Sequence, residues 1–96
     1  MKTFTVLTTP LFDRLLAKLV QQHLELPDIF EAAIDILRTD PHNLARNQPI
    51  KKLRGIKPGN GQYRLRTGRW RFRYDIWDKL QEIELSYCGL RREDTY

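Results

Sequence analysis

Residues Gln62–Asp75 read Gln-Tyr-Arg-Leu-Arg-Thr-Gly-Arg-Trp-Arg-Phe-Arg-Tyr-Asp. Apolar and basic residues alternate with period two on both sides of Thr67-Gly68, the pattern of two half-buried strands joined by a short glycine turn. Tyr63 and Leu65, then Trp70, Phe72, Tyr74 and Ile76, make one face; Arg64 and Arg66, then Arg69, Arg71 and Arg73, make the other. With Thr67-Gly68 as a two-residue loop, Arg66 is expected opposite Arg69 and Arg64 opposite Arg71. Like charges directly across a strand pair repel. Four guanidinium groups aligned in this way point to an anion lying over them.

The whole chain supports that direction. Its 96 residues suffice for a single domain over residues 1–96 with one modest core. The formal charge is +5, which favours a polyanionic partner. Residues 1–48 hold five Lys/Arg and six Asp/Glu, whereas residues 49–96 hold twelve and six, so the whole excess lies in the half that carries the hairpin. The one cysteine, Cys88, has no partner for an internal disulfide and suits a reducing compartment. No apolar run is long enough to span a bilayer, and the start has no signal-peptide core, so a cytoplasmic protein is expected.

Upstream, Phe4–Leu7 is a short β-prone segment expected at the edge of the later sheet. Thr9-Pro10 reads as N-cap and first helical residue, with Asp13 in the opening turn. Leu11, Phe12, Leu15, Leu16, Leu19 and Val20 form the apolar stripe of a helix that ends near Leu24. Leu26-Pro27-Asp28 starts a second helix with a stripe of Ile29, Phe30, Ala33, Ile34 and Leu37, stopped by Asp40-Pro41. The short connection implies an antiparallel helical hairpin on one face of the sheet. The fold class is therefore α+β: an N-terminal helical hairpin packed on a small, mainly antiparallel β-sheet.

Pro41–Pro49 is polar and irregular. Ile50–Gly61 is a basic lead-in carrying Lys51, Lys52, Arg54 and Lys57, with a short helical turn conceivable over Ile50–Leu53. Downstream, Ile83, Leu85 and Tyr87 alternate with Glu82, Glu84 and Ser86 in another strand. A loop at Asp78-Lys79 pairs Trp70 with Tyr87, Phe72 with Leu85 and Tyr74 with Ile83 inward, and Arg73 with Glu84 and Arg71 with Ser86 outward. Arg73 then gains an ordinary cross-strand ion pair, which leaves Arg64, Arg66, Arg69 and Arg71 as the set facing an anion. Cys88 falls on the outward parity as a small filler beside Gly89. Trp77 covers Leu80. His23 and His42 read as surface histidines, and no ligand spacing suggests a metal or other cofactor. Gly59-Asn60-Gly61 is a turn and not a phosphate loop, since no Gly-Lys-Ser/Thr follows.

This order of elements, with Leu53-Arg54-Gly55, the Tyr63–Tyr74 stretch and Arg91-Arg92-Glu93-Asp94-Thr95-Tyr96 at the end, resembles the RelE/ParE superfamily of toxins. The resemblance implies a RelE-like fold. For the RelE branch it implies a type II toxin that enters the ribosomal decoding site, next to 16S rRNA, and cuts mRNA without a metal, by attack of a ribose 2′-hydroxyl on the adjacent phosphate. It also implies a cognate antitoxin in a hetero-oligomeric complex. The positions matching the family's site are Arg64, Arg66, Arg71, Arg91 or Arg92, and Tyr96, with Lys51, Lys52, Arg54, Lys57 and Arg69 as accessory RNA contacts. Members of the family often carry lysine where Arg64 and Arg66 stand, and histidine at Arg91. An arginine stays protonated and is a poor general base, so the proton acceptor is left open between water and Tyr96. Two other readings fit the same residues: a ParE-like DNA gyrase inhibitor without nuclease activity, and a non-catalytic basic RNA-binding module.

Overall fold

A computed structural model describes residues 3–90. Its elements run β1 (Thr5–Thr8), α1 (Pro10–Gln22), α2 (Leu26–Thr39), β2 (Ile50–Lys52), β3 (Tyr63–Thr67), β4 (Trp70–Trp77), a 3-10 turn (Asp78–Leu80) and β5 (Glu82–Leu90). The five strands form one sheet in the order β1-β5-β4-β3-β2. Among the described residues only β1 is parallel to its neighbour, because the two helices intervene between it and the rest of the sheet.

Helix α1 begins where its capping chemistry places it, whereas α2 has Pro27 in its first turn and no side-chain cap at Glu25. Thr9 Oγ1 accepts the backbone N–H of Phe12 at 3.2 Å, and Pro10 supplies the preset φ of the first turn. Both helices lie on one face of the sheet. Phe12, Leu26, Ala33 and Leu37 pack with Leu65, Trp70, Phe72, Tyr74, Ile83 and Leu85 into a single core. Tyr74 crosses that core and donates its hydroxyl to the buried carbonyl of Pro41 at 2.8 Å. Burial, and secondarily the neighbouring Tyr63 and Asp40, drive its phenol far above the ordinary range. Tyr74→Phe leaves the Pro41 carbonyl without its donor, and we expect a loss of about 1–2 kcal/mol. A thermal melt should register this as a drop of roughly 5–10 °C.

Four expectations about the strands are corrected. The loop of the first hairpin is Gly68-Arg69, so Thr67 pairs with Trp70, Arg66 with Arg71 and Arg64 with Arg73. Gly68 has φ +60 while Arg69 keeps an ordinary negative φ, and a two-residue loop with positive φ at its first position takes glycine there. Beginning the loop one residue later shifts every pair by two and leaves the faces unchanged. Next, Ile50–Lys52 is an edge strand on β3 and not a helical turn.

The second hairpin closes over Asp78–Gln81, with Trp77 opposite Glu82. Asp78-Lys79 offers no Gly or Asn for a tight primed turn, so a 3-10 turn is used and Gln81 takes the left-handed conformation at φ 53. Tyr74 thus pairs with Leu85, and Asp75 with Glu84. Finally, β5 bulges between the partners of Tyr74 and Arg73. Ser86 is the extra residue, and Arg73 faces Tyr87, Phe72 faces Cys88 and Arg71 faces Gly89. A bulge adds one residue to one strand and so reverses the parity beyond it. Tyr87 is consequently outward and Cys88 inward, the opposite of what strict alternation gives.

Cys88 is 1% exposed, and burial pushes its thiol up to about 11. The raised value means that the folded protein resists ionisation, so this group adds nothing unfavourable below about pH 8.5 and weakens folding as pH climbs toward 11. At pH 8, iodoacetamide labelling should be slow in the native protein and become fast in denaturant.

Candidate nucleic-acid interface

On the face away from the helices, the registers assemble two cross-strand rows. One runs Lys51, Arg64, Arg73 and Tyr87 through β2, β3, β4 and β5. The next runs Arg66, Arg71 and Gly89 through β3, β4 and β5. Neighbours within a row are separated by about 5 Å, and the rows by about 7 Å. All four arginines are half-buried. Among the described residues, the buried Nε of Arg66 has no hydrogen-bond partner.

A third row holds Asp75 and Glu84, and here the face is closed by a loop. Asp75 is 1% exposed, and its carboxylate accepts the backbone N–H of Gly61 at 2.8 Å and of Gln62 at 3.1 Å. Arg73 completes this clamp by donating to the carbonyls of Gly61 and Asn60, each at 3.0 Å. The ion pair of Arg73 with Glu84 expected from sequence is therefore replaced by a backbone grip. The clamp fixes the end of the stretch after β2, at Asn60–Gln62, against β4; that stretch also carries exposed Arg54 and Lys57. Asp75 carries no signal of this role in the sequence, because its partners are backbone groups, which leave no pattern.

The remaining predicted positions divide. Lys51 joins the first row. Lys52 shares its register with Tyr63 on the other parity, and its Nζ lies 5.7 Å from the Tyr63 ring centre, so it is separated from the arginines. Arg69 sits in the hairpin loop and pairs with Glu25 at 3.2 Å, so it is not opposite Arg66. The Glu25 carboxyl is held below its ordinary range, chiefly by a backbone hydrogen bond and then, against some desolvation, by Arg69 and His23. Arg91, Arg92 and Tyr96 lie outside the described residues.

The histidines are less superficial than expected. His23 meets Trp70 edge-on at 5.1 Å, and His42 bonds Asp78 at 2.8 Å while its ring touches Phe4 and Tyr63 edge-on. Trp77 lines a groove with Ile76, Asp78, Lys79 and Leu80, and Leu80 remains 68% exposed. Among the described residues no helix is long and apolar enough to cross a membrane.

Comparison with solved structures returns a chain of the crystal structure of the toxin–antitoxin complex RelBE2 from Mycobacterium tuberculosis. The match has a TM-score of 0.63 and 25% identity, over 95% of this chain and 94% of that chain. This chain has a RelE-like fold. No family model matches the chain, and no curated protein does. The RelE-like architecture is the two-helix layer on a five-stranded, mostly antiparallel sheet described above. It leaves the arginine rows on the sheet face that the helices do not cover.

Proposed function

We propose that this RelE-like chain is the toxin of a type II toxin–antitoxin pair, acting in the cytoplasm as a ribosome-dependent mRNA endoribonuclease. The observation that carries the reading is the pair of basic rows, Lys51–Arg64–Arg73 and Arg66–Arg71, on one sheet face. A cluster of this kind stabilises the doubly charged, phosphorane-like state formed when a 2′-hydroxyl attacks the adjacent 3′-phosphate, whose bond to the 5′-oxygen of the next nucleotide then breaks to leave a 2′,3′-cyclic phosphate and a protonated 5′-hydroxyl. Arg66 and Arg71 hold the equatorial oxygens, Arg64 and Lys51 neutralise the adjacent phosphate, and Arg54 and Lys57 steer the strand. Arg91 or Arg92 adds positive charge, and Tyr96 exchanges a proton with the reacting oxygens or stacks on a base. Since guanidinium groups remain protonated, most of the acceleration comes from charge stabilisation and from alignment of the message by the ribosome.

The likeness to a chain of a toxin–antitoxin complex supports an antitoxin partner. A partner segment with carboxylates over the two rows relieves the cross-strand repulsion between Arg66 and Arg71 and between Arg64 and Arg73.

Primer extension on a message translated in a purified system tests the reading. Cuts are expected in ribosome-bound message and not in free message. A folded, soluble protein that leaves bound message intact would overturn it and move attention to a gyrase supercoiling assay.

A further inference from the structure

The bulge in β5 does more than shift a register. It moves an aromatic side chain from the core parity onto the basic face. Tyr87 stands in the first row beside Arg73 and is 42% exposed, whereas Cys88 next to it is 1% exposed. A Cβ placed on Gly89 would lie 2.5 Å from the Tyr87 hydroxyl oxygen, 3.0 Å from Cζ and 3.1 Å from Cε2. The ring therefore runs along the strand over the α-carbon of Gly89, in space that any other residue at position 89 would fill. Gly89 is in register with Arg71, so the ring spans the β5 ends of the two rows, next to the arginines of β4. Open grooves flank it on the side where α1 meets β5, one lined by Leu11, Asn60 and Arg73 and the other by Leu15, Leu19 and Leu90 together with Lys18, Gln22 and His23.

We infer that Tyr87 is a base-stacking platform of the RNA site. An unpaired base stacks on an exposed aromatic ring, and such stacking is sequence-tolerant because every base presents a π-face. The surroundings favour RNA as occupant: Arg71, in register with Gly89, is placed to hold a phosphate next to the stacked nucleotide, while Arg73, held by the Gly61 and Asn60 carbonyls, adds positive charge beside the ring. Tyr87 lies outside the terminal Arg91–Tyr96 motif, so it is an additional contact, and it orients the substrate without taking part in proton transfer. The inference rests on the proposed function and specifies how one nucleotide of the substrate is held.

The test uses short single-stranded oligoribonucleotides, each with 2-aminopurine at a different position, and the full chain as wild type, Tyr87→Phe and Tyr87→Leu. Leucine keeps apolar volume without a π-face, and thermal melts establish that each variant is folded. Wild type and Tyr87→Phe are expected to quench 2-aminopurine at one position. Tyr87→Leu is expected to lose the quench and to bind roughly tenfold or more weakly. Because no charge is removed, the slope of log affinity against log salt should stay at its wild-type value. Equal quenching and affinity in Tyr87→Leu would overturn the inference, as would a Tyr87→Phe variant as weak as Tyr87→Leu, which would assign the effect to the hydroxyl. A protein that cuts ribosome-bound message yet is indifferent to Tyr87→Leu sinks this inference alone. One that neither binds the oligonucleotides nor cuts message sinks the proposed function with it.

Discussion

Arg71→Ala is expected to slow cleavage of ribosome-bound message by about 10²–10³-fold, the cost of removing one preorganised donor from a charged transition state. Arg71 is on the central strand β4, opposite Arg66 in the second row, where two guanidinium groups can grip one phosphate from two sides. Arg71→Lys should recover only part of the activity, because an ammonium is a point charge and cannot offer the planar two-pronged donor set of arginine. Arg69→Ala provides the contrast. Its guanidinium lies in the hairpin loop against Glu25 on the helix layer, and its loss should change the rate severalfold at most. Single-turnover cleavage of a defined message, with far-UV circular dichroism to establish folding, measures all three. Equal losses in Arg69→Ala and Arg71→Ala would place the site elsewhere than on the two rows.

Asp75→Asn is expected to cost about 2–3 kcal/mol of folding free energy, which in a domain of this size lowers the melting temperature by roughly 10–20 °C. The carboxylate receives two backbone N–H groups, those of Gly61 and Gln62, at a site closed to water. An amide keeps one acceptor and turns a donor toward the other N–H, which is then buried without a partner. The same substitution should slow cleavage beyond what the remaining folded fraction explains. Releasing Gly61 also removes the carbonyl anchor of Arg73 and frees the stretch that carries Arg54 and Lys57. Urea denaturation together with cleavage at a temperature where the variant is fully folded separates the two effects. Wild-type stability in Asp75→Asn would mean that the loop is held by Arg73 and packing alone.

The helices, the sheet and its two faces were legible in the chain. Thr9-Pro10 marks a helix start through capping and preset φ, Leu26-Pro27 through preset φ alone, and the alternation from Tyr63 to Ile76 separates an apolar from a basic face. The shared surface of the candidate residues on β3 and β4 was legible to the same depth. Arg64, Arg66 and Arg71 are on one surface as their parity requires, and Lys51 joins them because β2 extends that surface by one strand.

The partners of those residues were not legible. Moving a hairpin loop by one residue shifts every cross-strand pair by two and preserves parity, so composition alone does not distinguish Arg64 opposite Arg71 from Arg64 opposite Arg73. Only the backbone conformation at Gly68 decides it.

The sequence by itself determined which side chains share a face, because a strand repeats every two residues and a helix every 3.6. The tertiary structure decided what each of them meets. Asp75 is committed to the backbone of Gly61 and Gln62, Arg69 to Glu25, and Tyr87 to the basic surface past a bulge. These outcomes depend on contacts between residues far apart in the chain and on one extra residue in β5. Local periodicity carries no information about either.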